Sequence, residues 1–285
     1  MGKWSCSLAF ALALWAVVGC AQAAGTRADV RKQVEASMLL QGTLDIDEAG
    51  GVTGYQLKQA DALPKAMLDF VDRRIRMWRF EPVQVDGKIV RARAPMLLRL
   101  VAQRADENYL LRIAGASFGN VEKEDESARP RGKLRPPEYP GAANAAGVGG
   151  TVYVVARIGP DGVVQDAVAE QVNLRAVGTV REMEMYRAML ADSALAAARR
   201  WRFDYPTRGE DAQLPFLSVR VPVEFVHWHQ GQEEPGKWYA YVPGPRQRAP
   251  WLSQDSEWAD GDALAAGGVY PVGKGPKLLT PLGDS

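Results

Sequence analysis

Val152-Tyr153-Val154-Val155-Ala156-Arg157-Ile158-Gly159-Pro160-Asp161-Gly162 is the stretch on which the fold turns. Val152, Val154, Ala156 and Ile158 fall on alternate positions, the period of a half-buried strand. Gly159 to Gly162 has turn chemistry, and residues 163–172 return as a second strand. Further on, Leu190, Ala194, Ala197, Ala198 and Trp201 share one helical face, closed by Arg199-Arg200-Trp201-Arg202-Phe203. Asp192-Ser193 reads as a capping signal for that helix rather than as a catalytic pair. Residues 206–211 turn, and Val219, Val221, Val223 and Phe225 alternate again. A hairpin, a helix packed on it and a third antiparallel strand make a small α+β unit.

The same order occurs once before. Val34, Ala36, Met38, Leu40, Leu44 and Ile46 alternate, residues 47–51 turn, and residues 52–57 return. Asp61 is the expected N-cap of a helix with Pro64 in its first turn. Leu63, Met67, Phe70, Val71 and Trp78 form its apolar stripe, and arginines at 73, 74, 76 and 79 suit its C-terminal dipole. Met77-Trp78-Arg79-Phe80 closes this helix as Arg200-Trp201-Arg202-Phe203 closes the other, which makes Trp78, Phe80, Trp201 and Phe203 the expected core anchors. Ala92, Ala94, Met96, Leu98 and Leu100 then alternate as a third strand. The expected architecture is α+β, with two small domains, each a three-stranded antiparallel sheet with one packed helix. Their bounds are 24–103 and 104–229. An extra strand is expected at 109–118 and a charged linker at 122–135.

Pro136-Pro137-Glu138-Tyr139-Pro140, followed by Gly149-Gly150-Thr151-Val152, the Gly159-Pro160-Asp161-Gly162 turn, the Trp201 helix end and Val219-Arg220-Val221-Pro222-Val223-Glu224-Phe225, resembles the TonB C-terminal domain. The likeness spans about 95 residues, and residues 30–102 look like a degenerate copy without the Tyr-Pro motif. It implies a periplasmic domain that binds an extended segment of an outer-membrane transporter by strand addition. The implied contact residues are Pro137, Glu138, Tyr139 and Pro140, with Leu217, Val219, Val221, Val223 and Phe225 on the third strand. Pro222 cannot donate to a ladder, which places that strand at an edge. The edge is then either open to a partner or covered by this chain's own 109–118 strand or aromatic tail. Departures from the family pattern are the doubled domain, the tail and the lack of a long Pro-rich spacer. They keep a second reading in view, a periplasmic adaptor or scaffold without proton-motive coupling. Inner-membrane proton-channel partners enter only if the N-terminal segment is retained.

Composition narrows the classes. Lys plus Arg is 35 against 34 for Asp plus Glu, a net charge of +1, which argues against a nucleic-acid footprint. The only cysteines are Cys6 and Cys20, so the body holds no disulfide framework or thiol catalyst. His227 and His229, spaced as on one strand face, are the only histidines and are too few for a metal site. Gly268 to Lys274 has the outline of a phosphate loop, but Gly275 stands where Ser or Thr is needed and Pro271 lies inside. No enzyme activity, cofactor or metal is expected.

Both termini carry a signal. Lys3, an apolar run at 8–19 and Ala21-Gln22-Ala23 read as an export signal cleaved after residue 23. Val17-Val18-Gly19-Cys20 reads equally as a lipobox, with residues 1–19 removed and Cys20 lipidated, and a retained anchor is the third reading. All three place the body in the periplasm, membrane-attached in the last two. Residues 230–285 hold 9 Gly and 7 Pro without periodicity, hence an extended or disordered tail. Its aromatics at 238, 239, 241, 251, 258 and 270 fit a tail that wraps along a surface.

Overall fold

Turn chemistry builds the first sheet from a hairpin outward. The computed structural model describes residues 25–85, 87–106, 108–119, 126–252 and 263–282. The leader, with Cys6 and Cys20, and Trp258 lie outside the described residues. A short helix α1 (Arg27–Arg31) precedes β1 (Glu35–Ile46) and β2 (Val52–Leu57). Between the strands the Asp47 carboxylate accepts from the amides of Ala49 and Gly51. Helix α2 (Lys65–Arg76) follows. Its N-cap is Pro64 rather than Asp61, which lies in a separate 3-10 turn at Ala60–Ala62. The proline ring disfavours helical backbone at Leu63, so the helix cannot start earlier. A small hairpin, β3 (Gln84–Val85) and β4 (Lys88–Ile89), leads to β5 (Ala92–Ala105), which pairs with all of β1. β6 (Asn108–Phe118) then pairs with β5.

The C-terminal half opens with β7 (Arg129–Pro130) and α3 (Gly141–Ala145). β8 (Gly150–Ile158) and β9 (Val164–Leu174) form its hairpin, α4 (Val180–Ala198) packs on it, and β10 (Phe203–Asp204) leads to β11 (Leu217–Phe225). The cap of α4 is a reciprocal box between Thr179 and Glu182, not Asp192-Ser193, which sits inside the helix. Accepting the Thr179 amide and hydroxyl holds the Glu182 carboxyl below its ordinary range. β10 pairs with β7, so part of the expected linker is ordered against Phe203 and Asp204.

The two halves match in detail. Each places its first strand between the hairpin partner and the strand after the helix, in the orders β2-β1-β5 and β9-β8-β11. Gly50 and Gly162 both adopt positive φ, at 80° and 75°, and a Cβ on either would collide with a carbonyl, Phe80 O or Phe203 O. The amides of those phenylalanines donate back to Gly50 O at 2.8 Å and Gly162 O at 2.9 Å. Arg79 and Arg202 each donate to the carbonyl of the preceding tryptophan at 2.8 Å. Trp78 and Trp201 lie just beyond their helices, 2% and 3% exposed. Each anchors a separate apolar core, with Phe80 and Phe203 beside them.

The tail changes the expected three-stranded sheets into larger ones. β12 (Tyr239–Tyr241) pairs with the N-terminal end of β1, and β13 (Tyr270–Pro271) pairs with β11. The result is a five-stranded sheet in the order β12-β1-β5-β6, with β2 also on β1, and a four-stranded sheet in the order β13-β11-β8-β9. The protein is α+β, mostly antiparallel, with few helices. Among the described residues no helix is long and apolar enough to cross a membrane.

The tail wraps both halves. Val242 exchanges backbone hydrogen bonds with Leu174, and the Gln247 amide donates to Glu170 O, which lines the free side of β9. Further on, Glu81 N–H donates to Lys277 O and Leu279 N–H to Arg79 O, and Leu278 joins the N-terminal core. The strands are accordingly more than half-buried. Leu39, Val101, Tyr153 and Val155, on the faces turned away from the helices, are buried outside both helical cores. Ser37 and Arg99 of one sheet and Thr151 and Tyr153 of the other line a shared cavity of about 30 Å³. The two sheets thus face one another, with tail residues between them.

Candidate peptide-binding edge

Strand β11 gives one side to β8 and the other to the outside. Register with β8, Leu217 opposite Ile158 through Phe225 opposite Gly150, turns the backbone groups of Ser218, Arg220, Pro222 and Glu224 outward. Pro222 therefore faces the side where its missing N–H breaks no bond to β8. The tail covers part of this edge. Val272 N–H donates to Ser218 O at 2.9 Å and Gly267 N–H to Pro222 O at 3.2 Å, with Tyr270 opposite Arg220. Of the two covers expected, the aromatic tail is the one present, whereas the 109–118 strand (β6) lies on β5 in the other sheet. Beyond Pro222 the pairing stops. The Glu224 amide has no backbone partner on the outer side among the described residues.

A groove of about 560 Å³ runs along this open end. Val221, Pro222, Val223 and Glu224 form one wall, residues 132–137 the opposite wall, and Ala266, Gly267 and Val269 the end where the tail strand begins. Trp201 lies at its base and fixes the opposite wall by donating from Nε1 to Arg135 O at 3.2 Å. Ser193 Oγ, from the middle of α4, donates to Glu138 O and ties the same segment down. Tyr139 donates to Val148 O at 2.9 Å and packs edge-on against Phe225, with 5.5 Å between ring centres. Of the residues singled out in the sequence, Pro137, Val221 and Val223 line the groove. Tyr139 and Phe225 brace it from below. Leu217 and Val219 lie at the far end, where Val219 faces Pro271 of the tail. Glu138 and Pro140 do not line it.

A charged network that the sequence did not reveal supports the floor. Arg175 meets Glu224 at 3.3 Å and lies 5.0 Å from the Tyr239 ring centre. Glu233, in the tail, receives Arg99 from the other half and donates its amide to Glu224 Oε1 at 3.1 Å. Burial pushes the Glu224 carboxyl above its ordinary range, against the opposing pull of Glu233 N–H and Arg175. Beside it, Arg220 and Glu170 form a buried two-pronged pair, both contacts at 2.9 Å. Glu233 sits in the Gly/Pro-rich tail, where no periodicity marks it, so only the folded arrangement shows its role.

The other motifs lead elsewhere. His227 and His229 occupy the turn after β11, not a strand face, with their Nδ1 atoms in contact. Among the described residues no group of three or more His, Cys, Asp or Glu is placed to hold a metal. Lys274, in the phosphate-loop outline, binds the Asp211 carboxylate.

The arrangement suits an extended chain, since it offers a strand end, an apolar trough and no nucleophile–base pair. Compared with known proteins, the chain matches no family model, no curated protein and no solved structure.

Proposed function

We propose that this chain is an exported envelope protein that binds an extended segment of a partner as an added strand on β11. The partner that fits the TonB C-terminal likeness is an outer-membrane transporter. In this reading residues 24–103 and 104–229 are two copies of one TonB-like domain, and the leader is cleaved or lipidated.

The observation that carries the proposal is internal. In the N-terminal half, β5 is the counterpart of β11, and its outer side holds a full eleven-residue strand, β6. In the C-terminal half the same side holds only the two-residue β13, and the groove lies beyond it. Strand addition at this position is therefore something the fold already does once.

The tail favours the adaptor form of the reading, without proton-motive coupling. A self-supplied strand on the binding edge lowers the affinity for any partner that must displace it. Titration calorimetry with extended transporter peptides on the full chain, and on a chain ending at Leu252, tests the proposal. Binding is expected in both, tighter in the shortened chain. No binding to either excludes β11 as the site. Intact-mass measurement of the exported protein decides between the two forms: a retained leader supports inner-membrane coupling, and a cut or a lipid on Cys20 supports the adaptor.

A further inference from the structure

β6 is the long strand edge that this chain leaves without a cover. The tail pairs with β1 and β11 and lines β9, and on β6 it approaches only the last residue, where Gly275 lies against Phe118 O. Among the described residues no backbone hydrogen bond reaches the outer side of β6. The pairs Arg112 with Val101, Leu110 with Gln103 and Asn108 with Ala105, read with the Gly119 N–H to Pro95 O bond, point those residues toward β5. Tyr109, Leu111 and Ile113 therefore turn their backbone groups outward. Tyr109 and Leu110 are also 70% and 54% exposed. The strand lacks the devices that blunt an edge, having neither Lys nor Pro between Asn108 and Phe118.

We propose that β6 is a self-association edge, on which two copies of this chain pair β6 to β6, antiparallel, about a twofold axis at Leu110. Charge selects a second copy over a charged peptide. The one ionic residue of the strand is Arg112, and Glu35 of the same chain meets it at 3.1 Å. The edge is thus electrically neutral and offers an acidic or basic partner no gain. Two copies about that axis place Tyr109 against Leu111 of the partner on both sides, an aromatic–aliphatic pair of the kind that stabilises sheets. They also make one continuous sheet through both molecules, a closed isologous contact. The β11 groove lies on the other sheet and stays free in this dimer.

Sedimentation and disulfide trapping test the proposal on the exported protein. The wild type is expected to sediment as a dimer at micromolar concentration. Leu110→Lys, an exposed change that places two like charges opposite each other, should weaken the dimer about tenfold or more without lowering the monomer's melting temperature. With Cys6→Ser and Cys20→Ser in place, Leu110→Cys should form an intermolecular disulfide readily. Residues 110 of the two copies face each other as a non-hydrogen-bonded pair, about 4.5 Å between Cα atoms and within disulfide reach. Met185→Cys, exposed on α4, is the control and should not cross-link. A monomer at all concentrations, a dimer indifferent to Leu110→Lys, or equal cross-linking at 110 and 185 would each overturn the proposal. So would a monomer whose β6 amides are protected by an added peptide.

Discussion

Gly162 and Glu224 show how single positions hold the binding half together, and each makes a measurable prediction. Gly162 is at positive φ with Phe203 O where a Cβ would go, whereas Gly132, at a φ of 76°, has nothing within 4 Å of that point. Gly132→Ala should cost only backbone strain, about 1 kcal/mol, and Gly162→Ala roughly 2 kcal/mol more, measured by urea unfolding. Equal costs would mean that the Phe203 carbonyl moves aside freely. Trp201→Ala empties the base of the groove and should cost ~3–5 kcal/mol; an unchanged thermal melt would contradict its core role. Glu224 has a raised carboxyl, so the folded state binds its proton more tightly than the unfolded state does. Its contribution to stability is therefore greatest at low pH and falls as pH rises from the ordinary carboxyl range through its folded value. Glu224→Gln should accordingly be more stable than wild type at neutral pH and equal to it near about pH 4. A variant less stable at neutral pH would show that the Arg175 contact outweighs burial.

At the level of elements, the tail turns two small sheets into one assembly. Truncation after Leu252 removes β13 and the contacts of 277–279 with Arg79 and Glu81. The expected result is a lower melting temperature and fast hydrogen exchange at the Arg220 amide, whose outward partner is Tyr270. Continued protection of Arg220 would mean that another segment covers the edge. Much of the element plan was legible in the sequence, because alternation and turn glycines act locally. The matched Trp-Arg-Phe helix ends were visible for the same reason. The sheet orders were not, since β12 and β13 are two or three residues long, in a segment whose Gly and Pro content hides any period. The Asp61 and Asp192 caps were misplaced because a side chain that can cap does so only where the backbone starts a helix, and Pro64 and Thr179 set those starts. Pro222 was a sound marker of an outward face, yet it cannot tell an open edge from one the chain covers itself.

Across the whole molecule, two helix-backed sheets meet through their opposite faces, with Arg99, Glu233 and Glu224 linking one half to the other through the tail. The binding edge is thus coupled to the arrangement of both halves, and a partner strand on β11 competes with the chain's own. If Cys20 is lipidated, Cys20→Ala should release the protein from the membrane fraction, and an unchanged distribution would leave the cleaved form. Site-resolved hydrogen exchange on the full chain, with and without an extended peptide from an outer-membrane transporter, is the most direct test of the binding account. Glu224 is the informative amide, since it faces outward beyond the tail strand and Pro222 has none. The account predicts that the peptide slows exchange at Glu224 while amides facing β8 stay as they were. Unchanged exchange at Glu224 under saturating peptide, with protection appearing elsewhere or nowhere, would contradict it.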